Sequence, residues 1–564
     1  MFKPNRSHTQ TELFGFGPHL SDRKRQQLEA SEEYQFYQLI LRRIPEDAFA
    51  VLYSEQGSRP NAPINTMVAA LILQHQRGWT YRELCDQIDF DLKTRTALGL
   101  WDLDTTPFSR ATLFNFQARL ADYWVQTGEN LLERVFDALT QEQLETLEVQ
   151  TTIQRADSFL AASNIRDYSR LQLLIEVLQR FVRGLSETDH DAVTDLMEPY
   201  LGQSSGQYLY RLDAEALPDE LAQLGPIYQQ LLQQFEADYG DTAIYQMLQR
   251  VYTEHFTEVA EQVEVRAAEA LGSDSLQSPD DPDATYRQKG TQTSRGQVIH
   301  VAETCHPDNP LNLITDVVVA PNNTDDSEIL ADRVEPMQEK TPAVAELHTD
   351  AGYASDTTDE TLQDAEITLI QTAIKGRTAA VPLQITPREE DRYQVTCPEQ
   401  TVTAHRTRTR WKAEFDWAVC ADCPVQEACP TTAGKAARRW YFDGEDAHRH
   451  QRWHRWEALP EARQKLRPNV EATIREMQGA MHNGKLKVRG AFATARYAFL
   501  RAIGVNFGRM ARFLADPDTD LTLEQLRPRL AGTIGQTIRH FWQLLTECWG
   551  VRWFFWKIHS SEVF

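Results

Sequence analysis

The sequence predicts a multi-domain α/β protein, and three observations carry that prediction. Apolar residues recur at spacings of three and four through the first 130 positions, the pattern turns to alternation within LEVQTTIQRADSFLAA, and further apolar strands follow a long helical stretch. With 564 residues, 41% of them hydrophobic and 25% charged, the chain has material for about two to four domains, each with a core of its own.

The first helices are EEYQFYQLILRRI, NTMVAALILQHQRGWTYRELCDQI and SRATLFNFQARLADYWV. Gly78, Trp79 and Thr80 interrupt the second, and Ser109 after Pro107 offers an N-cap to the third. Short helices joined by tight turns suit a helix-turn-helix-like module, and a helical oligomerisation domain fits the same periodicity. Next, Leu147, Val149, Thr151 and Ile153 alternate onto one face, so a strand closing on Asp157 is expected. A helical stretch from about Asp167 to Leu271 ends at the Pro- and Asp-rich SPDDPDATYRQKG. QVIHVAETCH and LNLITDVVVAP then read as two strands, DDSEILADRVEPM as a helix, and AVAELHTDAGYAS as a short strand meeting Asp350 and Gly352.

Charge bears directly on partners. The net charge of −24 opposes nucleic-acid binding, since neutralising phosphates requires a basic surface. The distribution answers the objection: from Arg467 to Arg512 nine Lys or Arg stand against two acids, a balance of +7, while the acids concentrate between Asp189 and Asp283. No stretch approaches the ~18 uninterrupted apolar residues of a membrane span, and MFKPNRSHTQ lacks the apolar core of a signal peptide. The expected location is therefore the cytoplasm, with no membrane partner.

Acids at neighbouring strand ends are the arrangement that holds two Mg²⁺ ions roughly 3.5 to 4 Å apart for phosphodiester chemistry. Asp157 and Asp350 are the first two candidates. The third comes from LRPNVEATIREMQGAMHNGKLKVRG, where Glu471 sits early in a helix with Arg467 four residues before it and Arg475 four after. Glu476 competes, but on another face. Taken alone, each Asp reads as a turn or cap residue and Glu471 as one member of a surface ion pair.

Cys397, Cys420, Cys423 and Cys429 fit a tetrahedral thiolate zinc site in a segment otherwise short of apolar residues. Four reduced cysteines in a surface insertion is the alternative reading. Between Arg438 and Trp456, basic and aromatic residues interleave in a way that suits phosphate contact and base stacking, or equally a solvated helix face over buried tryptophans. The histidines there are read as without partner acids, so no metal is expected on them.

RPNAPINTMVAALILQHQRGWTYRELCDQIDFDLKTRTALGL and FSRATLFNFQARL resemble the N-terminal domain of insertion-sequence transposases, and RADSF, LITDVVVAPNNTDD and HTDAGY resemble the catalytic core of DDE transposases. The nearest group is the one numbered eleven-eighty-two among insertion sequences, with similarity from about residue 35 to 515. In related transposases the catalytic Glu lies in a Tyr-x2-Arg-x3-Glu-x6-Lys motif. Here those places hold Gln464, Arg467, Glu471 and Gln478, so the Arg and Glu match while the Tyr and Lys do not, and Lys485 or Lys487 stands in for the missing cation. Cysteines at the four places above also belong to the resemblance.

The resemblance implies a helical DNA-binding domain (1–140), a ribonuclease-H-like mixed-sheet core whose first strand (141–160) carries Asp157, and a long acidic helical insertion (161–285). The remainder of the core (286–390), a Cys-rich basic and aromatic insertion (391–460), the Glu471 helix with the closing helices (461–515) and an aromatic tail (516–564) complete it. It further implies a DDE transposase acting on terminal inverted repeats and target DNA, as a homodimer in the nucleoid, with two Mg²⁺ ions (or Mn²⁺) on Asp157, Asp350 and Glu471. Arg467, Arg475, Lys485 and Lys487 contact phosphates, and Zn²⁺ sits on the four cysteines. A nuclease without strand transfer, and a decayed, non-catalytic DNA binder, are the rival functions.

Overall fold

The computed structural model describes residues 1–6, 15–54, 59–260, 262–372, 381, 383–388, 392–519, 521–523 and 525–526. The aromatic tail with Trp542, Trp549, Trp553, Phe554, Phe555 and Trp556 lies outside them.

Seven helices open the chain: α1 (Asp22–Glu29), α2 (Glu32–Leu39), α3 (Ile64–Arg77), α4 (Tyr81–Phe90), α5 (Leu92–Ala97), α6 (Arg110–Thr127) and α7 (Leu131–Thr146). Their boundaries follow from capping chemistry. Gly78, in the left-handed region at φ 70°, closes α3, and a Thr80–Glu83 capping box opens α4. Ser109 caps α6 by accepting from the Thr112 N–H, as expected.

The first strand departs from expectation. Leu147 and Val149 belong to the end of α7, where Glu148 adopts φ 52° and the Val149 N–H donates to the Leu144 carbonyl in a Schellman-type closure. Their alternation came from that turn. The strand β1 runs Ile153–Ala162, and Asp157 lies in its middle rather than at its end.

The insertion follows as α8 (Arg170–Arg183), α9 (Glu187–Met197), α10 (Ser205–Tyr210), α11 (Leu217–Tyr239) and α12 (Ala243–His255), then a hairpin of β2 (Phe256–Val259) and β3 (Gln262–Val265) where helix had been expected to continue to Leu271. Leu174, Phe181, Tyr228, Leu231, Phe235, Leu248 and Phe256 form an apolar core private to this region.

The main sheet resumes with β4 (Thr285–Lys289), unforeseen in the sequence, then β5 (Gln292–Thr304), β6 (Ile314–Pro321), α13 (Asp326–Lys340), β7 (Glu346–Thr349), α14 (Asp356–Asp364) and β8 (Thr368–Gln371). The long β5 pairs antiparallel with β1 along one edge and with β4 and β6 along the other; β7 is parallel to β1, and β8 to β7. The sheet is mixed, as the sequence predicts.

A second, antiparallel sheet holds β9 (Gln384–Arg388), β10 (Arg392–Thr396), β11 (Thr401–Arg406), β12 (Trp411–Asp416), β13 (Thr432–Ala433) and β14 (Ala437–Phe442), with α15 (Trp417–Ala421) between β12 and β13. The chain ends its described course in α16 (Gly444–Glu457), α17 (Glu461–Gln464), α18 (Val470–Gln478) and α19 (Ala491–Ala515). Asp281 and Asp283, from the Pro- and Asp-rich segment, accept the N–H groups of Gly490 and Ala491 and so hold the start of α19.

Helix α19 joins the first helices to the main sheet. Phe507 meets Phe36 edge-on at 5.1 Å, Phe499 meets Phe136 at 6.0 Å, and the Asn506 amide exchanges two hydrogen bonds with the backbone of Ile314 on β6. The helices foreseen as an N-terminal domain therefore share one apolar core with α19 and the sheet. Among the described residues no helix is long and apolar enough to cross a membrane.

Candidate active site

In the parallel pair of β1 and β7, Arg155 lies beside His348, so two residues further along each chain Asp157 and Asp350 come side by side. Both carboxylates are held. Asp157 Oδ1 accepts the Ser158 N–H at 2.9 Å, and Asp350 Oδ1 accepts the Gly352 N–H at 2.8 Å. Their remaining oxygens converge on one nitrogen: Nη2 of Arg467 is 2.8 Å from Asp157 Oδ2 and 3.6 Å from Asp350 Oδ2. Burial pushes the Asp157 carboxyl up to about 6; Arg467 pulls against that shift, while Asp350 and Asp326 add to it.

The sequence offered no role for Asp326, the first residue of α13, where an acid reads as an ordinary favourable charge at a helix start. Its Oδ1 accepts the Ser158 hydroxyl at 2.6 Å. A Cβ placed on Gly352 would stand 3.1 Å from Asp350 Oδ1 and 3.2 Å from Asp326 Oδ2, so a side chain there would crowd both acids. Tyr353, fully buried beneath, has its phenol held well above the ordinary range, by burial first and then by Asp326, Asp157 and Asp350.

Glu471 lies in the first turn of α18, exposed, with no hydrogen bond or ion pair to another described residue. The surface ion pair that was its plainer reading is not formed with Arg467, which belongs to a 3₁₀ turn, Arg467–Asn469, ahead of the helix and turns to Asp157. Its rival Glu476 is occupied by Arg509 and Arg512, each at 2.8 Å. Arg475 and Lys487 are exposed, whereas the Lys485 ammonium donates to the Ile165 carbonyl at 2.7 Å.

The four cysteines line one small cavity, with Phe415, Val425 and Arg438 among its other walls, and none of them forms a disulfide with a described residue. Burial raises the Cys420 thiol, and the other three cysteines add to the rise. The basic and aromatic stretch is largely used inside the fold: Trp440 stacks on Phe442, Arg439 pairs with Glu414, and Arg452 with Asp359. The expectation that its histidines lack acids needs correction. Asp356 and Asp359, brought by α14, meet His448 with their ligand atoms within 4.8 Å of one another, although Arg452 already neutralises Asp359.

The donor set at Asp157 and Asp350 fits a hard divalent cation, because carboxylate oxygens from β1 and from the turn after β7 already converge on one positively charged nitrogen.

Residues 24–119 match a transposase domain (DUF772), and residues 392–511 match a transposase DDE domain. Both matched families are transposase domains. The pair of matches, one early and one late in the chain, supports an insertion-sequence DDE transposase. The DDE match takes in Arg467 and Glu471 but reaches neither Asp157 nor Asp350. No curated protein and no solved structure matches the chain.

Proposed function

We propose that the protein cuts DNA at the terminal inverted repeats of its insertion sequence and joins the freed 3′-hydroxyl to target DNA, with Asp157, Asp350 and Glu471 as the reacting acids. The observation that carries this reading is the meeting of Asp157 and Asp350 on Arg467 in a chain with two transposase domains. The strand order, with an antiparallel β5 beside β1 and parallel β7 and β8 on its other side, supports a ribonuclease-H-like core.

Two Mg²⁺ ions, or Mn²⁺ in their place, would activate the attacking oxygen and steady the leaving one. Asp157 and Asp350 hold the cation position from the sheet, and Glu471 adds a carboxylate from α18. Arg467 passes from the two carboxylates to a phosphate oxygen of bound DNA, a transfer between like anionic partners. Arg475 and Lys487, with Lys485 once its backbone contact is released, follow the DNA backbone. Cys397, Cys420, Cys423 and Cys429 hold a structural Zn²⁺ that ties the second sheet together. The active form on paired repeat ends is a homodimer, working in the cytoplasm at the nucleoid.

Incubation of the purified protein with plasmid target and repeat ends, either pre-cut or still joined to flanking DNA, in Mg²⁺ tests the reading. Covalently joined product, lost with EDTA, is expected. Cutting without joining would replace the transposase with a nuclease, and binding without either would leave a non-catalytic DNA protein.

A further inference from the structure

Arg155 and Glu303 stand opposite each other on the antiparallel strands β1 and β5. Their side chains are 7% and 0% exposed, and two charges taken out of water this far are costly unless each donor and acceptor finds a partner. Here the partners are spread across the site. Arg155 Nε donates to Glu303 Oε1 at 2.7 Å, and its Nη1 donates to the Leu466 carbonyl at 2.8 Å. Glu303 Oε2 accepts the Thr473 hydroxyl at 2.7 Å and Nη1 of Arg509 at 2.6 Å.

The positions of those partners matter. Leu466 immediately precedes Arg467, and Thr473 follows Glu471 by two residues on α18. Arg155 itself precedes Asp157 by two residues, on the same face of β1. One buried ion pair thus grips the turn and the helix that bring the late residues of the site to the strand that carries the first.

We propose that the Arg155–Glu303 pair is the positioning device of the reaction centre, fixing Arg467 through Leu466 and Glu471 through Thr473. The inference rests on the reading of Asp157, Asp350 and Glu471 as the reacting acids. Arg155 and Glu303 touch neither DNA nor cation in this role. A pair kept for stability alone is replaceable, whereas one that sets position transmits its loss to the residues it holds.

The test uses the full chain with Glu303→Gln and the milder Arg155→Lys. Hydrogen exchange of residues 464–478 is measured against α3, together with single-turnover cutting and DNA affinity. Exchange in 464–478 is expected to quicken at least about tenfold while α3 is unchanged, and cutting to slow roughly 10- to 100-fold at unchanged DNA affinity. Glu303→Gln combined with Glu471→Gln should lose less than the product of the two single losses, because part of the effect of the pair passes through that helix. Exchange that stays at the wild-type level in 464–478, or rises equally in α3, overturns the inference, as does wild-type cutting by both variants. If the wild type itself does not cut, selective exchange still upholds the positioning role while the proposed reaction falls.

Discussion

The β1–β7 junction and the first turn of α18 carry carboxylates of one proposed purpose under opposite conditions. Asp157 and Asp350 are each held by a backbone N–H and share the Arg467 guanidinium, so their geometry is set before any DNA arrives. Glu471 is exposed and held by nothing among the described residues except the helix it rides on. The difference teaches that the sheet supplies a rigid half of the proposed site and α18 a half whose placement depends on how the helix is anchored.

Substitutions break that comparison most sharply at the sheet. Asp157→Asn and Asp350→Asn are expected to lower single-turnover cutting on the order of 10⁴-fold, with Asp157→Asn holding or raising the melting temperature at neutral pH, because burial already disfavours the ionised carboxyl that it replaces. Glu471→Gln should remove activity on a similar scale yet leave stability within about 0.5 kcal/mol, as befits an exposed side chain. A large drop in its melting temperature would show that Glu471 is a structural residue. Arg467→Ala should slow cutting roughly 10²-fold. Glu476→Gln separates the two glutamates of α18: it loses the ion pairs with Arg509 and Arg512, so denaturant unfolding should report about 1 to 3 kcal/mol of lost stability, with the cutting rate per folded molecule preserved. The smallest effect belongs to Lys487→Ala, which should weaken binding to all DNA sequences alike and lower the salt slope by about one.

Much of this was legible in the residues, for reasons that differ by region. Capping chemistry located α6, because Ser109 acts within one helical turn, and Gly78, Trp79 and Thr80 marked the break between α3 and α4. Asp350 stood out because Gly352 marks a turn straight after a strand. The start of β1 was misplaced because Leu147 and Val149 alternate for a local reason, the closure of α7, that imitates a strand. Long-range pairings left no such trace. Nothing near Asp326 in sequence points to Ser158, 168 residues away, nor anything near His448 to Asp356, 92 residues away. Arg155 and Glu303 read as ordinary charges, since only the register of β1 and β5 makes them neighbours. Likewise, periodicity described the first helices and the insertion in the same terms, although the first share the core of the sheet and the second has its own.

The central claim is that three acids from β1, from the end of β7 and from α18 serve one cation position. Loading the protein with Fe²⁺ and letting it cut the nearby backbone oxidatively maps that position directly. Cuts clustered near residues 157, 350 and 471, suppressed by excess Mg²⁺ and by Asp157→Asn, are the predicted result. Cuts confined to the neighbourhood of Asp356, Asp359 and His448, with residues 157 and 350 untouched, would contradict it.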